Sequence, residues 1–258
     1  MAEPKALIFD VDGTLADTEK DGHRVAFNAA FRDAGLDWDW DAALYGELLA
    51  VTGGKERMRH FIEGWSPAFE APADMAEWIA GLHRSKTAHY TQLLSEGAIP
   101  LRPGVERLLN EARAAGIRLA IATTTTPANV TALLEHTLGP ESLDWFEVIA
   151  AGDIVPAKKP APDIYTWALR EMHLDPAETI AFEDSGNGVL SAADAGIDNI
   201  VVTVNDYTRD HDFQRASAVL DGFGEPGQAV KVLQAPGVPM PEGIVDLAWL
   251  RALHRHNG

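Results

Sequence analysis

Ala6-Leu7-Ile8-Phe9-Asp10-Val11-Asp12-Gly13-Thr14-Leu15 is the stretch on which the fold turns. Its first half is a short apolar run, the length of a buried strand, and Gly13 closes it. Asp10 and Asp12 stand two apart, so in extended chain both project to one side while Val11 goes to the other. Gly13 permits a sharp departure from the strand. An acidic pair before a glycine is common in ordinary turns, so the meaning of this one depends on what lies downstream. A calcium loop fits poorly, because Gly13 comes too early and the later acidic ligands are missing.

Downstream of Gly104, strand and helix patterns alternate. Strands are predicted over 117–122, 146–150, 179–182 and 199–204, and helices over 105–115, 128–138, 163–173 and 188–195. Such alternation implies parallel βαβ units, hence an α/β protein with a doubly wound, Rossmann-like parallel sheet covered by helices on both faces. Between the first strand and this region, residues 17–94 carry only helical patterns. Thr18 reads as the cap of a helix ending at Gly35. Helices over 41–50 and 55–62 are separated by Gly53-Gly54, Pro67 and Pro72 mark a loop, and 73–94 forms one long helix or two joined at Gly81. The expected organisation is a core of residues 1–16 and 95–258 with an all-helical cap, 17–94, inserted. The tail after Asp206 is less readable, with an edge strand expected at 218–220.

The 258 residues include 21 Lys plus Arg against 39 Asp plus Glu, a formal net charge of -18, and no Cys. That excess of acid disfavours phosphate backbones and acidic membrane surfaces, so neither nucleic acid nor membrane is an expected partner. Without cysteine there is no disulfide framework, thiolate zinc site or cysteine nucleophile. The start lacks the pattern of a secretory signal, and no apolar run reaches the length of a membrane span. A cytoplasmic monomer is the default expectation.

In an open parallel sheet, ligands bind beyond the carboxyl ends of the strands. Four strand ends carry reactive groups: Asp10 and Asp12, the run Thr123-Thr124-Thr125-Thr126, Lys158-Lys159-Pro160, and Glu183-Asp184-Ser185. Two acidic pairs facing one pocket repel unless a cation separates them, and clustered carboxylate oxygens suit Mg2+. One aspartate can then attack phosphorus while the other moves protons. Developing charge on a phosphoryl group calls for a hydroxyl donor and a fixed cation, roles open to Thr123 and Lys159.

These four ordered motifs resemble those of the haloacid dehalogenase superfamily of phosphotransferases, and the helical insert resembles the cap of its β-phosphoglucomutase-like branch. Asp17-Thr18-Glu19, His23 to Asn28, Trp38, Gly53-Gly54-Lys55-Glu56-Arg57 and Ala151-Gly152-Asp153 resemble the CbbY-type phosphatases. The resemblance implies a phosphatase acting on a sugar bisphosphate, xylulose 1,5-bisphosphate, an inhibitor of the carbon-fixing enzyme Rubisco. It implies Asp10 as nucleophile and Asp12 as acid and base. Thr123 and Lys159 would hold the phosphoryl group, and Mg2+ would sit on Asp10, the Asp12 carbonyl, Glu183 and Asp184. From the cap side, Glu19, His23, Gly53, Gly54, Lys55 and Arg57, with Thr124 of the core, are the substrate-binding candidates. Where the phosphoglucomutase branch is expected to use a cap-loop arginine, Lys55 and Arg57 compete. The four threonines leave the hydroxyl donor open.

Plainer readings stand beside these. His23 and Glu19, four apart on one helical face, form a joint candidate, though a lone histidine is more often a packing residue. Trp38 and Trp40 read as cap core, Thr18 primarily as a helix cap, Lys158 as a neighbour of the catalytic cation, and 175–178 as a turn or helix start. Gly186-Asn187-Gly188 resembles part of a dinucleotide fingerprint, but Ser191 stands where its last small residue belongs. A sugar phosphate mutase, a phosphatase of another small ester such as phosphoglycolate, and a binding protein on the same scaffold are the alternatives.

Overall fold

The computed structural model describes residues 3–66, 69–70, 72–234, 237, 240 and 243–257; Pro67 lies outside them. Among the described residues, seven strands form one sheet: β1 (Ala6–Phe9), β2 (Arg118–Thr123), β3 (Phe146–Ala151), β4 (Thr179–Glu183), β5 (Ile200–Thr203), β6 (Ala218–Leu220) and β7 (Val232–Gln234). Their order is β3-β2-β1-β4-β5-β6-β7, parallel throughout except for antiparallel β7. Strands β1 and β4 lie side by side in the middle of the sheet, and the connections change direction between them, which opens a crevice at their carboxyl ends.

Burial on both faces explains why the strands read as continuous apolar runs. Leu7 and Phe9 of β1 join a cluster with α5 (Val105–Ala114), α6 (Pro127–Leu138) and α9 (Leu247–Asn257). Ala6 and Ile8 point the other way, into a cluster with α7 (Asp163–Met172) and α8 (Gly186–Asp194). The doubly wound sheet is therefore as the sequence predicts.

Between β1 and residue 96 the described elements are helical, including α1 (Arg24–Asp33), α2 (Ala42–Leu48), α3 (Gly54–Trp65) and α4 (Met75–Ser95). These helices bury their own cluster, built on Phe27, Phe31, Trp40, Tyr45, Met58, Phe61 and Leu82. Trp38 packs edge-on against Phe31, Phe61 and Trp78, so both tryptophans serve the cap core. Helix α4 passes through Gly81 unbroken. The two chain segments linking cap and core pair with each other, through a bridge between Ala16 and Leu101 and a bond from Arg102 N to Leu15 O of 2.8 Å.

Two expectations need correction, and the tail that the sequence left unread takes shape. Strand β6 is not an edge, because β7 pairs with it; β7 is short and exposed, with no apolar run to announce it. The tail contains α9, whose Leu250 and Leu253 bury against the core. Residues Glu19–His23 form a π-helical turn, and Thr18, at its start, caps nothing with its side chain. The capping box at Asp175 to Glu178 is as expected. No helix is long and apolar enough to cross a membrane among the described residues.

Candidate active site

The carboxyl ends of β1 and β4 bring Asp10, Glu183 and Asp184 together, with one oxygen of each lying within 4.8 Å of the others. Lys159 Nζ donates to Asp10 Oδ1 at 2.7 Å and to Glu183 Oε1 at 2.5 Å. Tyr165 of α7 donates its hydroxyl to the same Glu183 oxygen at 2.6 Å, and Asn205 Nδ2 donates to Asp184 Oδ2 at 2.7 Å. Glu183 Oε2 is buried with no hydrogen-bond partner. A buried, orphaned carboxylate oxygen beside two further acids is the donor set of a hard divalent cation. Two glycines make room for it. A Cβ on Gly13, whose φ is +85°, would come 2.2 Å from Asp184 Oδ2, and one on Gly188 would come 1.7 Å from Glu183 Oε2.

Burial, reinforced by Glu183 and Asp12 against the opposing pull of Lys159, pushes the Asp10 carboxyl up to about 7. Burial, with Asp10 and Glu183 nearby, raises Asp184 well above its usual range. Lys159 is held firmly protonated, since Asp10 and Glu183 outweigh the cost of its burial. A bound cation would return both aspartates to the charged form.

Asp12 is governed from the cap. The Thr18 hydroxyl donates to Asp12 Oδ1 at 2.6 Å, and His23 Nε2 meets the same oxygen at 2.8 Å. Lys86 Nζ of α4, a donor, meets His23 Nδ1 at 2.6 Å, which places the ring proton on Nε2. Tyr90 stacks on the His23 ring at 4.1 Å. Burial works against charge on Asp12, yet His23, Thr18 and Lys86 together hold its carboxyl well below the usual carboxylate range. Burial lowers Lys86 to about 8, with Asp12 and Glu19 resisting. His23, expected to reach the sugar, is thus turned onto Asp12, and so is Thr18, expected to be a helix cap.

Two chambers meet at Asp12, Glu19, Arg57 and Thr124. One, of about 520 Å³, reaches Asp10, Thr123, Lys159, Glu183 and Asp184. The other, of about 610 Å³, is lined by Gly53, Gly54, Lys55, His83, Lys86 and Lys158. The threonine run sorts itself. Thr125 Oγ1 accepts from Asn129 Nδ2 and Thr126 caps α6, both on the wall of the second chamber, while Thr123 and Thr124 face the chamber of Asp10. Arg57 Nη1 donates to the Tyr45 hydroxyl at 2.8 Å, and Tyr45 in turn donates to Glu19 Oε2. Lys55 turns to Asp153, and Lys158 joins it there.

Sequence reasoning missed Tyr45, Lys86, Tyr165, Asn205 and Arg102. Buried Arg102 donates to the carbonyls of Gly13, Thr203 and Val204, tying the turn after Asp12 to the loop that carries Asn205. Its position before Pro103-Gly104, where the chain re-enters the core, was the available signal.

A family model of haloacid dehalogenase-like hydrolases matches residues 4–196. The chain belongs to that family. It is 45% identical over 257 residues to the protein CbbY encoded on a plasmid of Cupriavidus necator, covering 97% of this chain and 96% of that one. The crystal structure of CbbY from Rhodobacter sphaeroides with phosphate aligns at a TM-score of 0.80 and 48% identity, over 87% of this chain and 96% of that one. A D10N variant of the same relative, in complex with xylulose 1,5-bisphosphate, aligns at a TM-score of 0.80 and 47% identity, with the same coverage. The chain is accordingly a phosphoric monoester hydrolase of the haloacid dehalogenase type.

Proposed function

We propose that this hydrolase removes one phosphate from a sugar bisphosphate, xylulose 1,5-bisphosphate, through an aspartyl phosphate on Asp10. The observation that carries the bisphosphate reading is the pair of chambers. One ends at Asp10 and Lys159, and the other, beyond Asp12, is lined with Lys55, Lys86 and Lys158. One phosphate can sit at each end with the sugar between them. The Rhodobacter sphaeroides relative in complex with xylulose 1,5-bisphosphate supports the same substrate.

In this reading Asp10 attacks phosphorus while the Thr123 hydroxyl and Lys159 hold the phosphoryl oxygens. The sugar oxygen departs with a proton from Asp12. That carboxyl, otherwise kept charged beside His23, takes up this proton from water as substrate binds, because the arriving phosphate dianion raises its proton affinity. Asp12 then takes a proton from the water that attacks the aspartyl phosphate, which releases inorganic phosphate, frees Asp10 as its carboxylate and leaves Asp12 as the acid, its proton passing to solvent once phosphate has left. Asp10, Glu183, Asp184 and the Asp12 carbonyl would hold Mg2+, which when bound supplies positive charge against the phosphoryl oxygens. Glu19 and Arg57, braced by Tyr45, would contact the sugar. We assign the cap to residues 17–94 and the core to 1–16 and 95–258.

Replacing Asp10 with Asn tests the assignment. Turnover should disappear while circular dichroism and bisphosphate binding persist; retained turnover would remove Asp10 as nucleophile.

A further inference from the structure

The second chamber already contains an anion of the protein's own. Asp153, in the loop after β3, reaches between a cap lysine and a core lysine. Lys55 Nζ of α3 donates to its Oδ2, and Lys158 Nζ lies 2.8 Å from its Oδ1. Among the described residues this is the ion pair that joins α3 to the core. Among the described residues neither lysine has a second ion-pair partner, and both line the chamber that Asp12 closes on its other side. The hydrogen bonds from Lys158 and Lys55 lower Asp153 to about 2, so the carboxylate is charged throughout the neutral range.

The three groups are held unequally. Asp153 follows Gly152, whose N–H bonds Thr123 O at 3.3 Å, so its backbone is tied to the strand end that carries the phosphate-facing hydroxyl. The Lys158 stem lies against Gly53, where a Cβ would come 2.9 Å from its Cδ, and its side chain is 16% exposed. Lys55 and Asp153 are 36% and 59% exposed. A pair so open to water is weak and screened by salt. A phosphate dianion carries twice the charge of Asp153 and presents three oxygens to two ammonium groups, so it is the stronger partner for both.

We propose that Asp153 is a built-in counter-ion that occupies Lys55 and Lys158 in the empty enzyme, excludes lone small anions from them and yields them to the second phosphate of a bisphosphate. The inference rests on the bisphosphate reading above and adds the competition within it. Esters with one phosphate, already bound through it at Asp10, cannot displace Asp153 and forgo the contact between α3 and the substrate. Asp153 thereby lowers affinity for the bisphosphate while keeping lone small anions off the lysine pair, which would attract any of them if left uncompensated.

The test is calorimetric binding to the Asp10→Asn protein, with and without Asp153→Asn, using xylulose 1,5-bisphosphate and, separately, inorganic phosphate. Asp153→Asn should tighten the bisphosphate about 3- to 10-fold, the size expected when one charge within a few ångströms of a dianion is removed at high effective dielectric. It should also create or tighten a second inorganic phosphate equivalent, one abolished by Lys55→Met. Unchanged or weakened bisphosphate affinity would overturn the proposal, since a mere surface pair gives the first and a cap latch the second. If the bisphosphate binds neither protein, that reading falls, and the phosphate titration still decides: identical isotherms with and without Asp153→Asn overturn the competition.

Discussion

Lys86→Met separates stability from function at one buried position. The ammonium is 3% exposed, packed over the rings of Phe27 and Tyr90 at 5.0 Å each, and touches His23 Nδ1. Its fall from 10.5 to about 8 corresponds to roughly 3 kcal/mol of cost to the charged form. Methionine keeps the stem and the aromatic packing while removing the charge, so at pH 7 the variant should be more stable by about 1 to 3 kcal/mol. Function should move the other way. Without its donor the His23 ring loses orientation and Asp12 loses the support that keeps it charged, and kcat should fall about 10- to 100-fold, a large share of what general acid and base catalysis supplies. The pH dependence follows from the lowered value. Between about pH 8 and 10.5 the unfolded chain keeps a proton that the folded chain has released. Wild-type stability therefore rises with pH across that window relative to the variant. Urea unfolding of both proteins at pH 7 and pH 10, with steady-state rates at pH 7, reads every part. A variant less stable at pH 7 with an unchanged kcat would refute the reasoning.

Other outcomes follow from the same geometry. Tyr45→Phe removes the hydroxyl that joins Arg57 to Glu19 and should raise KM about 5- to 10-fold with a smaller effect on kcat, as a loss of ground-state binding. Magnesium should raise the unfolding temperature by relieving repulsion among Asp10, Glu183 and Asp184, and thermal unfolding of Asp184→Asn should lose that response. Because burial and neighbouring acids raise Asp184 and Asp10, that stabilisation should weaken as pH falls below neutrality. Gly188→Ala, with its Cβ aimed at Glu183 Oε2, should destabilise the protein by about 1 to 3 kcal/mol and abolish the magnesium response, both visible in one melting series.

The middle of the sheet was legible because β1, β2 and β4 are short, apolar and ended by chemistry. Asp10, Thr123 and Glu183 close β1, β2 and β4, and their positions follow from strand ends alone. Within the cap, tryptophans and phenylalanines marked the core. What escaped was charge turned inward. Lys86 sits 63 positions from its partner His23 on a helix where lysine reads as a solvated face, and only the packing of α4 on α1 reveals that it is buried. Tyr45 carried the pattern of a core aromatic, which it is, and its hydroxyl's second role needs three dimensions. Thr18 had the right residue type for a cap and was drawn instead to a stronger acceptor, the Asp12 carboxylate. The last helix was hidden behind glycines and prolines between residues 222 and 243 that carry no periodicity.

The most direct test of the central claim is phosphate release with Mg2+ across xylulose 1,5-bisphosphate, ribulose 1,5-bisphosphate, fructose 1,6-bisphosphate, phosphoglycolate and β-glucose 1-phosphate, compared as kcat/KM. The account predicts that xylulose 1,5-bisphosphate leads the panel and that chelation abolishes every rate. Dominance of phosphoglycolate, or conversion of β-glucose 1-phosphate to glucose 6-phosphate with a bisphosphate primer, would contradict it.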